Sequence, residues 1–406
     1  MILVFKMNNG NNRVLILSPF FYPEMISTGK YNTYLAEELV AQGLPVTVVS
    51  SYPIYPSWNP EKSDPTLPGM DIRRGGSWLR YPKSTLLRRA ILECWYSWHA
   101  VTTYFGLKSK PTHLVAVFPP SLFFLLLALV LPSSTKKIGI VHDLQGVYAS
   151  QSKGLIGRVV NAAIHMVEQK CFAGCDRLIF LSESMAARAI QEYGLDKEQC
   201  AVCYPFVALP DHPLSEGTAL KHLFDEQKIN VVYSGALGDK QNPDALVDFF
   251  SNLTVARSGV CCHIFSAGPH FERLRSSTSE LGTVHFHDLV DSEHLSELYA
   301  RSGVQVIPQA FGTGDGSLPS KLPNLMAVGV PVFVICDSGS ELADLVKEAD
   351  AGGVCNSWDS ADLVDHFVQF LPQMIDEPRS ERRLRQQEFV QEKFSIRRVV
   401  DEIIKV

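Results

Sequence analysis

Short, unbroken apolar runs rich in β-branched residues recur along the chain, each followed by a stretch long enough for a helix. The first are Arg13–Ser18 (RVLILS) and Val46–Ser50 (VTVVS), with helical spacing over Tyr31–Gln42 between them and Gly43 as its stop. Thr112–Phe118, Lys137–His142 and Arg177–Ser182 continue the alternation. Strands that are apolar on both faces and separated by helices belong to parallel sheets covered on both sides.

The series then restarts with Asn230–Gly235, Cys261–Ala267, Thr283–His287, Val304–Ile307 and Val330–Ile335. Two such series predict an α/β chain of two tandem Rossmann-like, doubly wound parallel-sheet domains with a cleft between them. The seam falls in Tyr204–Thr218, where Pro205, Pro210 and Pro213 interrupt any periodicity. We therefore expect domains over 1–208 and 209–380, with 381–406 forming a charged closing helix that packs back on the first.

With 46% hydrophobic and 20% charged residues, the 406-residue chain has the make-up of a packed globular protein. The net charge of −6 gives no reason to expect nucleic acid as a partner. Cys200-x-x-Cys203 lacks a second pair to complete a zinc set, and nine cysteines are an odd total, so reduced thiols in a cytoplasmic protein are expected. The apolar run Leu122–Leu131 is about half of what a membrane-spanning helix needs.

Ligands of open parallel sheets bind beyond the carboxyl ends of the strands, so the loops there are the places to search. After the first strand, Gly29 and Lys30 open a helix, where N–H groups and the helix dipole favour an anion. His142 ends the fourth strand and can hydrogen-bond a substrate hydroxyl. Gly235 and Lys240, in SGALGDKQ, form a candidate diphosphate cradle. The richest stretch is GTGDGSLPSKLPN at 312–324, where a glycine-rich loop runs into Ser320 and Lys321 at a helix start.

Taken together, SGALGDKQ at 234–241, LPSKLPNLMAVGVP at 318–331 and the N-terminal PFFYPEMISTGKY with YPIYPSW resemble the retaining family-4 nucleotide-sugar glycosyltransferases of GT-B fold. They are most similar to the branch that builds colanic acid, O-antigen and related cell-surface polysaccharides. The resemblance implies that Gly29, Lys30, Lys240, Ser320 and Lys321 face the donor diphosphate and that His142 contacts the donor sugar. Many members carry two glutamates with seven residues between them; here Gly316 and Asn324 stand in their places. Asn324 is expected to accept hydrogen bonds from the ribose without charge, and Asp315 to substitute for the first acid as a catalytic residue.

The implied reaction transfers a sugar from a UDP- or GDP-linked donor to a lipid-linked or other saccharide acceptor with retention, without a metal or other cofactor. The leaving phosphate would take the acceptor proton. Basic and aromatic residues interleaved over Trp78–Lys110 fit an anionic membrane surface, placing the protein in the cytoplasm, peripheral on the inner face of the plasma membrane. Two other readings share the fold: a sugar-nucleotide 2-epimerase and a non-catalytic nucleotide-sugar-binding partner.

Overall fold

The computed structural model describes residues 12–24, 26–55, 57–144, 155–209, 217–278, 284–314 and 318–406. The chain divides into two compact units. One runs up to Tyr204 and is completed by Ile396–Val406, and the other is Pro205–Ser395.

The sheet of the first unit contains β1 (Val14–Leu17), β2 (Val46–Ser51), β3 (Met70–Gly75), β4 (His113–Phe118), β5 (Lys136–Val141), β6 (Arg177–Phe180) and β7 (Cys200–Val202). Their order is β3-β2-β1-β4-β5-β6-β7, every pairing is parallel, and the order reverses between β1 and β4. Val14 pairs with Val46 on one side and His113 on the other. Leu15, Leu17, Phe118, Phe123, Phe172 and Phe180 meet in its core.

In the second unit β8 (Ile229–Ser234), β9 (Val260–Ser266), β10 (Val284–Asp288), β11 (Val304–Pro308), β12 (Val332–Ile335) and β13 (Gly352–Cys355) form a parallel sheet of order β10-β9-β8-β11-β12-β13. Phe249, Phe250, Phe333 and Phe367 anchor its core. Two tandem Rossmann-like units are therefore present, as the alternation of apolar runs predicts.

Three strands carry no such run. β3 (MDIRRG), β7 (CAV) and β13 (GGVC) lie at sheet edges, where only one neighbour pairs with them and half of each strand meets solvent. The run at Leu122–Leu131 forms a helix over Leu122–Ala128 that buries Phe123, Phe124 and Leu127 and leaves Leu126 exposed, with Leu129 beyond it 82% exposed. Among the described residues no helix is long and apolar enough to cross a membrane. All nine cysteines are free thiols, and seven are buried.

The single closing helix expected over 381–406 is instead two helices, Arg379–Lys393 and Ile396–Ile404. Buried Phe394 breaks them apart, and its carbonyl accepts from Val207 N at 3.2 Å. The first helix stays with the second unit, packed on the helix Lys321–Ala327. Gly329 there has φ of +71°, and a Cβ on it would lie 2.4 Å from Arg379 O, so only glycine lets these elements meet. Ile396–Ile404 alone joins the first unit, against β4, β6 and the helix Ser27–Ala41. It buries Val399, Val400 and Ile403, and Arg177 Nε donates to Glu402 Oε2 at 2.8 Å.

Ending the chain at Ser395 uncovers the partners of these three side chains. At about 1.5–3 kcal/mol per buried aliphatic group, the first unit should lose about 5 kcal/mol. Calorimetry should show one transition shifted down by many degrees while the second unit's transition holds.

Candidate functional site

In the first unit the loop after β1 is tied to the loop after β2. Pro19 O accepts from Ser50 Oγ at 3.0 Å and Ser51 N at 3.1 Å. Glu24, almost wholly buried, accepts from Ile54 N at 2.9 Å and Tyr55 N at 2.7 Å. Burial raises its pKa and those two N–H groups lower it.

Gly29 sits in the first turn of the helix Ser27–Ala41, and a Cβ there would be 2.9 Å from Glu24 Cβ. Close packing over Glu24 is thus a sufficient reason for the glycine. Lys30 follows, half-buried, with its pKa lowered by desolvation. His142 lies just past β5, its backbone N donating to Phe118 O at 2.9 Å and its ring edge-on to Tyr31 at 4.9 Å between centroids. Burial lowers the imidazole to about 4, so it is neutral at pH 7. Its Nε2 is buried without a hydrogen-bond partner among the described residues.

In the second unit the loops after β8, β11 and β12 are linked in sequence. Gly235, at φ of +138°, donates from N to Phe265 O at 3.0 Å. Lys240 lies exposed in a short 3-10 turn, and its carbonyl accepts from Ala310 N at 2.8 Å. Gly312 N donates to Asp337 Oδ2 at 2.8 Å. Ser320 caps the helix Lys321–Ala327 with its backbone and has an exposed side chain.

Two expected ligand contacts are occupied from within. Lys321 Nζ donates to Ser234 O and Val306 O, both at 3.2 Å, and lies 4.2 Å from the Tyr233 ring centroid. It braces the ends of β8 and β11 instead of presenting its ammonium to solvent. Desolvation pulls it down to about 7, while the two carbonyls and the ring favour the charged form. Asn324 Oδ1 accepts from Ala208 N at 2.7 Å, so one acceptor position of that amide is filled by the chain itself. Asp315 and Gly316 lie outside the described residues.

Residues 28–209 match the family model described as Glycosyltransferase Family 4, and residues 218–388 match that of Glycosyl transferases group 1. The chain is a family-4 glycosyltransferase of GT-B fold. The glycosyltransferase is 26% identical over 372 residues to the putative colanic acid biosynthesis glycosyl transferase WcaI of Escherichia coli K12, a match spanning 84% of this chain and 88% of that protein. Among solved structures it resembles WaaG, a glycosyltransferase involved in lipopolysaccharide biosynthesis, with a TM-score of 0.68, 16% identity and coverage of 97% and 100%. The structure of Anabaena HepE in complex with UDP and glucose gives a TM-score of 0.61 at 13% identity, covering 97% of this chain and 98% of that one.

The residue patterns did not single out three buried polar groups of this glycosyltransferase. Glu24 holds the loop after β2, as described. Ser266 Oγ, at the end of β9, and Gln309 Oε1, just past β11, are buried without partners among the described residues. A polar residue closing an otherwise apolar strand, as in CCHIFSAG, is the signal that could have marked Ser266.

Lys321 also sets a pH dependence. Its folded pKa near 7 lies below the unfolded value, so between about pH 7 and 10.5 the unfolded chain binds the extra proton and stability rises with pH. Below pH 7 both states are protonated and that slope vanishes. Urea denaturation of wild type and Lys321→Met across pH 6–10 should show wild type gaining on the variant as pH rises, with a flat difference below pH 7.

Proposed function

We propose that this glycosyltransferase acts in cell-surface polysaccharide biosynthesis, moving a sugar from a UDP- or GDP-linked donor to a saccharide acceptor carried on a lipid, with retention at the anomeric carbon. The observation that carries this reading is the double family match over residues 28–209 and 218–388, together with the likeness to the putative colanic acid enzyme. Orphaned polar atoms just past β5, at the end of β9 and just past β11 support it, since each needs a ligand or solvent partner at the ends where open parallel sheets bind substrates.

Departure of a nucleoside diphosphate builds negative charge. Lys240 and the N–H groups of the loops after β8 and β11 stabilise that charge, without a metal ion. Neutral His142 orients the donor sugar through Nε2, and Asp315 contacts sugar hydroxyls. Lys30 and Gly29 supply positive potential at a helix start. Asn324 offers its amide N–H groups, its oxygen being engaged by Ala208. The acceptor hydroxyl attacks on the face the diphosphate leaves, and the leaving phosphate takes up its proton, so no carboxylate nucleophile is required.

Membrane association follows from the helix Thr85–Gly106. Leu87, Trp98 and Phe105 fall on one face at spacings of eleven and seven, all more than half exposed, with Lys83 before the helix and Lys108 after it. Such a face fits the headgroup region of an anionic bilayer on the inner side of the plasma membrane.

Turnover of UDP- and GDP-sugars by purified protein, with a polyprenyl-diphosphate saccharide as acceptor, tests the reading. Lys240→Ala should cut kcat about 10²-fold, the scale of losing one charge-stabilising donor, with unfolding temperature unaltered because the side chain is exposed. Unchanged turnover in both Lys240→Ala and His142→Ala would overturn the site assignment. Flotation with phosphatidylglycerol vesicles at low salt should carry wild type upward and leave Trp98→Glu/Phe105→Glu behind.

A further inference from the structure

The first unit holds a cavity of about 220 Å³ whose lining includes Phe20, Trp58, Thr85, Arg88, Arg89 and Glu93. None of these residues is among the donor-site candidates discussed above. Arg88 Cζ lies 4.0 Å from the Trp58 ring centroid, a stacked cation–π pair that holds the guanidinium plane in place. Stacking uses the face of a guanidinium and leaves its edge, with five N–H donors, free to bond. Among the described residues no hydrogen bond or ion pair engages the Arg88 side chain, although it is half-buried.

Trp58 is itself held in an unusual state. Its φ of +56° is in the left-handed region that bulky L residues rarely adopt. The turn leading to it is pinned by Ile54 and Tyr55, whose N–H groups donate to buried Glu24, and Tyr81 packs edge-on against the indole at 5.6 Å. The structure thus spends a buried carboxylate and a strained tryptophan on positioning one arginine.

Glu93, the acid in this lining, does not neutralise Arg88. Its Oε1 and Oε2 accept from Ser121 N at 3.1 Å, and Oε2 also from Leu122 N at 3.0 Å. The charge that acts on it is that of Arg89. Two guanidinium groups against one committed carboxylate leave the cavity positive.

We infer that this cavity is an oxyanion site, in which the Arg88 fork, aided by Arg89, clamps a phosphoryl group of the acceptor substrate. A planar guanidinium edge matches two oxygens of one phosphoryl group, and the aromatic wall preorganises it before binding. The phosphoryl chemistry rests on the cavity alone; its assignment to the acceptor rests on the function proposed above.

Calorimetry on the full chain with UDP and GDP both present at saturation, to occupy any donor site, tests the inference. Two probes are used: inorganic pyrophosphate and a short-chain prenyl-diphosphate sugar. We expect wild type to bind the prenyl-diphosphate sugar. Arg88→Ala should weaken it at least tenfold, and Arg88→Lys by several-fold, because an ammonium lacks the fork. Nucleotide binding by the variants, measured separately, should stay at the wild-type level and shows that they are folded. Prenyl-diphosphate binding with the wild-type Kd in Arg88→Ala overturns the site. Arg88-dependent binding of pyrophosphate, with none of the prenyl-diphosphate sugar, overturns the assignment to the acceptor. A protein that transfers no sugar from any donor, yet loses diphosphate binding in Arg88→Ala, would refute the proposed function and leave the oxyanion site standing.

Discussion

Parallel strands cannot be joined by a tight turn, and each must be left at its carboxyl end and re-entered at its amino end after a crossover. Everything distinctive in this chain follows from that constraint. The crossovers cover both faces of each sheet, so the interior strands are mostly apolar, and several polar groups stand at their carboxyl ends. Ser18, His142, Ser266 and Gln309 all stand at or just beyond a strand's carboxyl terminus. A barrel or an antiparallel sandwich would have scattered such groups over two ends.

Displacing polar groups to one edge raises a second problem, since loops there must hold a shape without the sheet's ladder of hydrogen bonds. Buried and half-buried side chains meet that need in both units. Glu24 binds two backbone N–H groups across the first pair of loops, Lys321 binds two carbonyls across β8 and β11, and Asn324 holds Ala208. A charged residue at a ligand-side edge can therefore be a brace for backbone rather than a contact for substrate. Hydrogen bonds of this kind rigidify a site at the cost of burying charge, which is affordable only where each group is satisfied.

The apolar runs were sufficient to read both sheets except at three of their four edges, because an interior parallel strand is apolar on both faces and an edge strand need not be. β3 mixes half-buried and exposed positions, and β7 has only three residues, so neither leaves a run to detect. Site residues were less legible. Position after a strand picked out His142 and Lys240 as polar groups beyond β5 and β8, yet the same reasoning could not separate Lys240, which is exposed, from Lys321, which folds inward. That distinction depends on Tyr233 and two carbonyls brought together from segments far apart in sequence. Likewise the stacking of Arg88 on Trp58 spans thirty positions and a left-handed turn that no periodicity announces.

The helix Ile396–Ile404 belongs to the unit that the chain left at Tyr204, some two hundred residues earlier. On the ribosome, at about 5–20 residues per second, the sheet of that unit waits on the order of ten to forty seconds with the hydrophobic surface facing Val399, Val400 and Ile403 bare. The second unit has by then been synthesised in full. Completion of the first fold is thereby coupled to synthesis of the second unit, and a message cut short anywhere within that unit yields a product whose first domain is unfinished and open to chaperone or protease.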